Sequence, residues 1–175
     1  FLDCGTSGGL QGQELGFSLM VGGSKTTYLK IESVLRTIAT KQGVGYVGPS
    51  GTGHYVKMIH NGIEYALLQA YAEGIQVLHE GTFSTQLDVI EITRIWMHGS
   101  IIRSWILELI HHTLAHHPDF YSISGAIGEN GTGQWTVEEA QAHHIMVELI
   151  EKALAIRAES RESGGTYATK LVALL

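Results

Sequence analysis

The spacing of hydrophobic residues changes character near residue 50. Before residue 50, three short apolar or aromatic runs lie next to glycines, as is typical of β-strands, and one amphipathic stretch at 25–41 has helical spacing. The predicted strands are FLDC, FSLMVGG and GYVG. After residue 50, apolar residues recur with the helical period over 54–80, 86–98, 100–116, 136–143 and 145–160. We therefore predict a mainly α-helical protein whose strands are confined to its first part.

This change of pattern divides the chain into two regions, 1–49 and 50–175. Three strands and one helix cannot cover both faces of a sheet. The region 1–49 is therefore interpreted as the last part of an α/β domain whose beginning is absent. Within 50–175, Thr136 and Glu139 of TVEE have the spacing of a capping box, which predicts that a helix begins at Thr136.

Composition argues against several classes of protein. The chain has 175 residues, of which 44% are hydrophobic, and its net charge of -6 argues against a broad nucleic-acid surface. The longest apolar run, around 100–110, contains Arg103 and Glu108, so no segment is expected to span a membrane. The chain does not open with the charged and then apolar stretch of a signal peptide. Cys4 is the single cysteine, which excludes an intrachain disulfide and favours a cytoplasmic setting.

Two charged residues define one face of the first predicted helix after residue 50. Lys57 and Glu64 are the only formally charged residues between His54 and Tyr71, and they lie seven positions apart, two turns, on the same face. That spacing is too long for a surface ion pair, and Asn61 continues the polar stripe between them. A buried structural charge pair is one interpretation, but this spacing denies each charge its partner. A ligand lying along the helix would supply those partners, which favours a binding or catalytic role.

The stretch GHYVKMIHNGIEY resembles the signature of the decarboxylating 6-phosphogluconate dehydrogenases, within the β-hydroxyacid dehydrogenase superfamily. Further segments resemble the same family in the same order: DCGTSGG with FSLMVGG, WMHGSIIRSWILEL, and GTGQWTVEEA. The similarity covers essentially the whole chain and is closer to the short form of the enzyme, which lacks the long C-terminal tail. It implies an all-helical C-terminal catalytic and dimerisation domain at 50–175, preceded at 1–49 by the last strands and helix of a truncated Rossmann-type nucleotide-binding domain.

The resemblance implies an oxidoreductase of the pentose phosphate pathway that converts 6-phosphogluconate to ribulose 5-phosphate and carbon dioxide. Such an oxidative decarboxylation needs a base at the hydroxyl oxygen and an acid at the carbon of the enediol. Lys57 resembles the family's lysine that takes the hydroxyl proton and later returns it. Glu64 resembles the acid that protonates the enediol. His60 and Asn61 resemble the residues that hold the substrate in line.

The turn after the first strand is implied to hold the carboxylate end of the substrate. Ser7, Gly8 and Gly9 match the family's turn at this position. Without the resemblance, the same three residues are interpreted as an ordinary tight turn. The assignment as a substrate-binding turn therefore rests on the resemblance.

Three residues match phosphate-binding positions of the family: Tyr65, Thr132 and Arg157. Thr132 lies in the glycine loop that is implied to close over the phosphate. On the residues alone, Arg157 in ALAIRAES is interpreted as a solvated helix residue. Asn130 takes the place of a lysine that larger forms of the family carry before GTG, which removes one positive charge from the implied phosphate site.

The resemblance implies NAD or NADP as the cofactor, bound mainly by an N-terminal domain that these residues lack, so the 175 residues alone are expected to be inactive. The implied partner is a phosphorylated sugar acid, with no nucleic acid and no membrane. The predicted helices 86–98 and 100–116 are apolar on more than one face, which together with the resemblance implies a homodimer or a higher homo-oligomer. His112 and His116 have the spacing of a helical metal pair, but no acidic third ligand lies at a helical offset, so no metal site is predicted.

Two other functions stay open from the sequence. A β-hydroxyacid dehydrogenase that acts on another 3-hydroxy acid would keep the glycine, lysine and asparagine pattern without decarboxylation. Glu64 followed by Tyr65 argues against that function. A non-catalytic helical dimerisation module is the other alternative, because the predicted helices are long and apolar.

Overall fold

The computed structural model describes residues 1–117, 119–120 and 122–175. Within these residues the chain is mostly helical, as predicted, with eight helices and three strands. It divides into two compact units, Phe1–Gly62 and Ile63–Leu175. No helix in the described part of the chain is both long and apolar enough to cross a membrane.

The first unit holds a three-stranded sheet and the helices that connect its strands. In chain order its elements are β1 (Leu2–Ser7), α1 (Gly12–Leu15), β2 (Phe17–Gly23), α2 (Lys25–Leu35) and β3 (Ala39–Gly48). The strand order is β1-β2-β3, with β1 antiparallel and β3 parallel to the central strand. Leu19 and Val21 on β2 pack with Tyr28 of α2 as the buried core of this unit. The crossover helix thus covers the apolar side chains of the central strand.

A side chain from the sheet caps the long helix α3 (Thr52–Glu80), which follows β3. The carboxylate of Asp3 accepts hydrogen bonds from the backbone N–H groups of Gly51 at 2.6 Å and His54 at 3.0 Å. The bond from Gly51, followed by that from His54, holds the pKa of the buried Asp3 carboxyl below its ordinary value. A negative charge at this end also matches the helix dipole. Asp3 therefore fastens β1 to the start of α3.

Asp3→Asn is expected to lower the melting temperature by several degrees at neutral pH, because the amide keeps one acceptor oxygen and loses the charge. Folding lowers the pKa of this carboxyl, so its stabilising contribution is fully present above the ordinary value of 3.8 and is lost as the pH falls through the folded-state pKa. Melting curves followed by circular dichroism should therefore converge for wild type and variant at acidic pH. Exposed Glu14→Gln is the control for a lost surface charge. If the difference in melting temperature between wild type and Asp3→Asn stayed constant down to acidic pH, the charge of Asp3 would not be what stabilises the helix start.

The second unit contains the rest of α3 and five further helices. These are α4 (Val89–Trp96), α5 (Trp105–His116), α6 (Thr132–Ala142), α7 (Glu148–Ser163) and α8 (Tyr167–Ala173). One buried cluster joins α3, α5 and α8 through Ile75, Ile110 and Leu171, each at most 1% exposed. A smaller cluster joins α3, α6 and α7 around Tyr65 and Leu154. The second cluster positions the residues predicted to bind phosphate.

Several helix ends differ from the prediction. Helix α2 stops at Leu35 rather than at residue 41, because the chain from Ala39 onward pairs with β2. Helices α4 and α5 begin later than residues 86 and 100, since the side chains of Asp88 and Ser104 accept hydrogen bonds from their first turns. Helix α7 is displaced by three residues at each end of the predicted range 145–160. Capping side chains and strand pairing thus decide boundaries that apolar spacing leaves open.

The predicted capping box at Thr136 is wrong. Helix α6 begins four residues earlier, at Thr132, after Gly131 in a left-handed conformation with a φ of 82°. Thr136 is buried in the helix, and its hydroxyl donates to the carbonyl oxygen of Thr132 at 3.2 Å. A capping box does occur at α8, a helix that the sequence analysis missed, where Thr166 and Thr169 bond reciprocally.

Candidate active site

Helix α3 brings three predicted site residues together in the first unit. The Nζ of Lys57 lies 3.1 Å from Nδ1 of His60, one turn along the helix. The same ring nitrogen lies 3.2 Å from Oδ1 of Asn61. Lys57 and His60 are half-buried and Asn61 is buried. Lys57 and Asn61, two members of the polar stripe inferred from helical spacing, are therefore linked through His60.

Ser7 joins this group from the end of β1. Its Oγ lies 3.1 Å from Nε2 of His60, so the imidazole ring lies between the Ser7 hydroxyl and the Lys57 amine. When the Lys57 ammonium donates to Nδ1, the ring proton is on Nε2 and is donated to Ser7. The opposite tautomer donates from Nδ1 and accepts the Ser7 proton at Nε2. The ring thus couples the orientation of the Ser7 hydroxyl to the proton on Lys57.

The close approach of β1 and β2 to α3 depends on a glycine contact formed by Gly5, Gly22 and Gly53. A Cβ at Gly5 would lie 2.5 Å from the Lys57 Cβ and 2.4 Å from the Gly53 carbonyl oxygen. A Cβ at Gly22 would lie 2.7 Å from the Gly53 nitrogen, and one at Gly53 would lie 2.5 Å from the Met20 carbonyl oxygen. The first turn of α3 therefore packs against the sheet backbone with no side chain between them.

The turn predicted to hold a carboxylate follows Ser7 directly. Gly8 and Gly9 have φ angles of 143° and 54°, in the region that favours glycine. A Cβ at Gly8 would lie 3.0 Å from the ring of Phe17, whereas a Cβ at Gly9 would meet nothing within 4 Å. The turn is thus packed at Gly8 and open at Gly9, next to the hydroxyl of Ser7.

The predicted phosphate-binding residues gather in the second unit. The guanidinium carbon of Arg157 lies 3.8 Å from the centroid of the Tyr65 ring, a cation–π contact, and Nη1 donates to the Gly128 carbonyl oxygen at 3.1 Å. Arg157 is 6% exposed, so its interpretation as a solvated residue is wrong. Burial lowers the pKa of the guanidinium, and the nearby Tyr65 and Glu129 oppose that shift.

Asn130 connects Tyr65 to Thr132. Its Oδ1 accepts hydrogen bonds from the Tyr65 hydroxyl at 3.2 Å, from the Thr132 hydroxyl at 2.6 Å and from the Thr132 backbone N–H at 3.2 Å. Asn130 is exposed and Thr132 is half-buried. Gly133 allows α6 to approach the Tyr65 ring, because a Cβ there would lie 2.5 Å from a ring carbon. The hydroxyls of Tyr65 and Thr132 thus converge on one exposed amide.

Glu64 is half-buried on α3, immediately before Tyr65. Its charge is one of those that raise the pKa of Arg157 against the effect of burial. Along the axis of α3, seven residues separate it from Lys57, a distance of about 10 Å. Lys57 and Glu64, the residues predicted to be the base and the acid, therefore both belong to α3.

Two residues that shape this region were missed by the sequence analysis. Asp3 caps α3 and Gly5 makes room for Lys57, and both are buried on the same side of β1. The available signal was their alternate spacing in DCGTSGG, which puts them on one face of a strand. No local pattern shows that this face meets a helix that begins some fifty residues later.

The histidine pair on α5 is exposed, and its two rings stack. The ring centroids of His112 and His116 are 4.4 Å apart, and their Nδ1 atoms are 3.0 Å apart. Leaving aside residues 118 and 121, no group of three or more His, Cys, Asp or Glu side chains is placed to hold a metal ion.

Comparison with known proteins identifies the family to which the chain is similar. Residues 53–169 match the C-terminal domain of 6-phosphogluconate dehydrogenase, and residues 1–48 match the NAD binding domain of the same enzyme. An NAD(+)-dependent, decarboxylating 6-phosphogluconate dehydrogenase of Haloferax volcanii is 47% identical over 163 residues, which are 92% of this chain and 54% of that protein. The decarboxylating enzyme of Schizosaccharomyces pombe is 33% identical over 90% of this chain and 34% of its own length.

Solved structures agree with the sequence comparisons. The 6-phosphogluconate dehydrogenase of Plasmodium falciparum, studied with NADP+ and with 6-phosphogluconate, superposes with a TM-score of 0.80 at 32% identity, over 92% of this chain and 36% of that chain. A 3-hydroxyisobutyrate dehydrogenase of Salmonella typhimurium has a TM-score of 0.74 at 19% identity over 97% of this chain and 59% of that chain, a likeness of fold. Since the C-terminal domain match alone covers more than half of the residues, the chain belongs to the 6-phosphogluconate dehydrogenase family.

Proposed function

We propose that the whole protein oxidises and decarboxylates 6-phosphogluconate to ribulose 5-phosphate and carbon dioxide with NAD or NADP. The observation that carries this proposal is the group formed by Lys57, His60 and Asn61 on the helix that also bears Glu64. A base and an acid two turns apart match a reaction that needs both. The chain spans 54% of its Haloferax relative, so the proposal concerns the protein that contains it.

In this proposal Lys57 acts first as the base. The neutral amine accepts the proton of the substrate's 3-hydroxyl. The nicotinamide cofactor, when bound, would supply the acceptor for the hydride on the same carbon, and the substrate would become a 3-keto acid. The resulting ammonium then donates to the ketone oxygen and draws electrons toward it as the bond to the carboxylate breaks. His60, 3.1 Å from the Nζ, holds the amine in place for both steps.

Glu64 completes the proposed reaction. Loss of carbon dioxide leaves an enediol whose former carboxylate-bearing carbon must gain a proton. Glu64, as the carboxylic acid, donates that proton while the neutral Lys57 amine takes back the proton of the enediol hydroxyl, which restores the ketone. Proton exchange with solvent then returns Glu64 to the acid form and Lys57 to the amine. Ser7 and the open turn at Gly9 are proposed to bind the carboxylate end, and Tyr65, Thr132 and Arg157 the phosphate end.

The cofactor is proposed to be NAD or NADP, supported by the match of residues 1–48 to the NAD binding domain of the family. The glycine-rich turn between β3 and α3 does not fit its pyrophosphate. The amides of Gly51 and His54, which would bind an anion at this helix start, already bond to the Asp3 carboxylate. A second anion beside that carboxylate would also be repelled.

The reaction can be tested with the intact protein that contains this chain. We expect reduced cofactor and carbon dioxide to form in equal amounts from 6-phosphogluconate, with one of the two cofactors preferred. 3-Hydroxyisobutyrate, the substrate named for a structural relative, should react far more slowly. Oxidation of a 3-hydroxy acid without release of carbon dioxide would favour the non-decarboxylating alternative.

We further propose that the protein is a homodimer that uses α4, α5 and the segment between them. Five large apolar side chains in this region are exposed: Ile90, Ile95, Ile101, Ile102 and Trp105. Ile101 is 100% exposed, and its neighbour Ile102 is 41% exposed. A surface of this kind is typical of an interface that buries over about 2,000 Å².

Analytical ultracentrifugation of the intact protein at micromolar concentration is expected to show a dimer. Ile101→Glu combined with Trp105→Glu should give a monomer or insoluble protein, because two charges would be buried without partners. Leu10→Glu replaces an apolar residue of the first unit that is also exposed and should leave the dimer intact. A stable monomeric wild type would contradict this assembly.

A cytoplasmic setting is also proposed. Cys4, the only cysteine in the sequence, is half-buried in β1, and burial raises the pKa of its thiol. A thiol of this kind is a poor nucleophile and suits a compartment in which cysteines stay reduced.

A further inference from the structure

The hydrogen bonds at Asn130 restrict what Tyr65 and Thr132 can do. Each hydroxyl has a single proton. Both protons are donated to the same acceptor, Oδ1 of Asn130, over 3.2 Å from Tyr65 and 2.6 Å from Thr132. In this arrangement the hydroxyl oxygens present lone pairs, rather than protons, to any other group. A phosphate oxygen needs donors and would meet acceptors.

Asn130 itself can resolve this conflict, because a carboxamide has an acceptor oxygen and a donor NH₂ on the same carbon. A half-turn of the amide would replace the oxygen by the NH₂ group. The Tyr65 and Thr132 hydroxyl protons, together with the Thr132 backbone N–H that lies 3.2 Å from Oδ1, would then be released toward an anion. The NH₂ group would donate to the two hydroxyl oxygens and so keep their protons directed at the anion. The exposed position of Asn130 leaves room for such a rotation.

We propose that Asn130 is a positioning residue that sets the proton direction of the Tyr65 and Thr132 hydroxyls, and that a phosphate group binds by turning its amide. This inference rests on the proposed function, since it assumes that the Tyr65 and Thr132 hydroxyls meet the phosphate end of the substrate. The buried Arg157 guanidinium, 3.8 Å from the Tyr65 ring centroid, supplies fixed positive charge behind that ring. The amide supplies the part of the site that changes when the anion arrives.

Asn130→Asp separates this role from a structural one, since the carboxylate has the shape of the amide and accepts the same hydrogen bonds. It cannot turn into a donor, and it repels the phosphate. We expect the KM for 6-phosphogluconate to rise about 10- to 100-fold, the loss of one or two charge-assisted hydrogen bonds. The kcat should change little, because the reacting carbons are at the other end of the substrate. Asn130→Gln, which keeps both functions of an amide, should restore most of the affinity.

Gln134→Glu is the matched control, because it makes the same amide-to-acid change at an exposed position of α6. Equal KM values for Asn130→Asp and Gln134→Glu would overturn the inference, as would a parallel fall in kcat and in melting temperature with KM unchanged. Asn130→Leu provides a second test, since it has neither acceptor nor donor. It should weaken phosphate binding even if Asn130→Asp fails to fold, and unchanged binding in this variant would also overturn the inference.

Binding of inorganic phosphate, titrated by calorimetry against the intact wild-type protein and the variants, gives a readout that does not depend on turnover. Suppose that wild type binds phosphate, that Asn130→Asp does not bind it, and that wild type does not oxidise 6-phosphogluconate. The proposed reaction is then wrong, and the role of Asn130 holds. If wild type turns over 6-phosphogluconate and all Asn130 variants bind phosphate equally, the role of Asn130 is wrong and the reaction holds.

Discussion

Lys57→Met is expected to reduce the oxidation of 6-phosphogluconate by the intact enzyme about 10²–10⁴-fold, the usual contribution of a positioned acid or base. Methionine has a similar length but cannot accept the hydroxyl proton, and it breaks the contact with His60 Nδ1. Single-turnover formation of reduced cofactor, with the substrate deuterated at the oxidised carbon, measures this step directly. Lys30→Met removes the same charge from an exposed position on α2 and should leave the rate unchanged.

Glu64→Gln should affect a different step of the same reaction. The first turnover of oxidation should stay within about tenfold of wild type, because this side chain is proposed to act only after carbon dioxide has left. Formation of ribulose 5-phosphate, and incorporation of solvent deuterium at its first carbon, should slow much more. Equal loss of the oxidation step in Lys57→Met and Glu64→Gln would show that the two residues do not have separate roles.

Gly5→Ala is expected to have the second large effect. Its methyl group would lie 2.4 Å from the Gly53 carbonyl oxygen and 2.5 Å from the Lys57 Cβ, so β1 and α3 must separate. The free energy of unfolding should fall by about 1–3 kcal/mol or more, as in overpacked cores. Because Ser7 and Lys57 sit on the two separated elements, a shift of about 1 Å should also lower kcat/KM about 10²-fold.

The matched control is Gly45→Ala in β3, where a Cβ would meet nothing within 4 Å. This change should be neutral or slightly stabilising, by up to about 1 kcal/mol, because alanine restricts the unfolded chain. Urea titration of both variants and wild type gives the comparison. A Gly5→Ala variant as stable and active as Gly45→Ala would show that the glycine contact does not fix the position of Lys57.

The long helix and the central strand could be predicted from local sequence. Residues 54–80 have continuous helical spacing without proline, and the structure has the helix at Thr52–Glu80. The predicted strand FSLMVGG is β2 with the same bounds. The one-turn spacing of Lys57, His60 and Asn61 was also available, since neighbours on a helix face are fixed by its period. These features depend only on residues close together in the chain.

The features that the sequence did not reveal depend on distant partners. Arg157 can be buried because its guanidinium lies against the Tyr65 ring and donates a hydrogen bond to the Gly128 carbonyl oxygen. These partners are 92 and 29 positions away in the chain. Thr136 has the local pattern of a cap, yet its burial in α6 shows that the helix had already begun. The three hydrogen bonds of Asn130 likewise combine residues from α3 and the start of α6. The local sequence pattern predicts where helices and strands lie, whereas these contacts depend on how the helices and strands pack together.

The Asp3 cap has a consequence for hydrogen exchange. Amides at the start of a helix have no intrahelical acceptor and ordinarily exchange with deuterium quickly. Those of Gly51 and His54 bond to the buried Asp3 carboxylate, so they can exchange only when β1 detaches from α3. Their protection factors therefore report the free energy of that local opening. Because Ser7 lies on the same strand as Asp3, these two amides record how often the strand that carries Ser7 leaves the helix that carries His60.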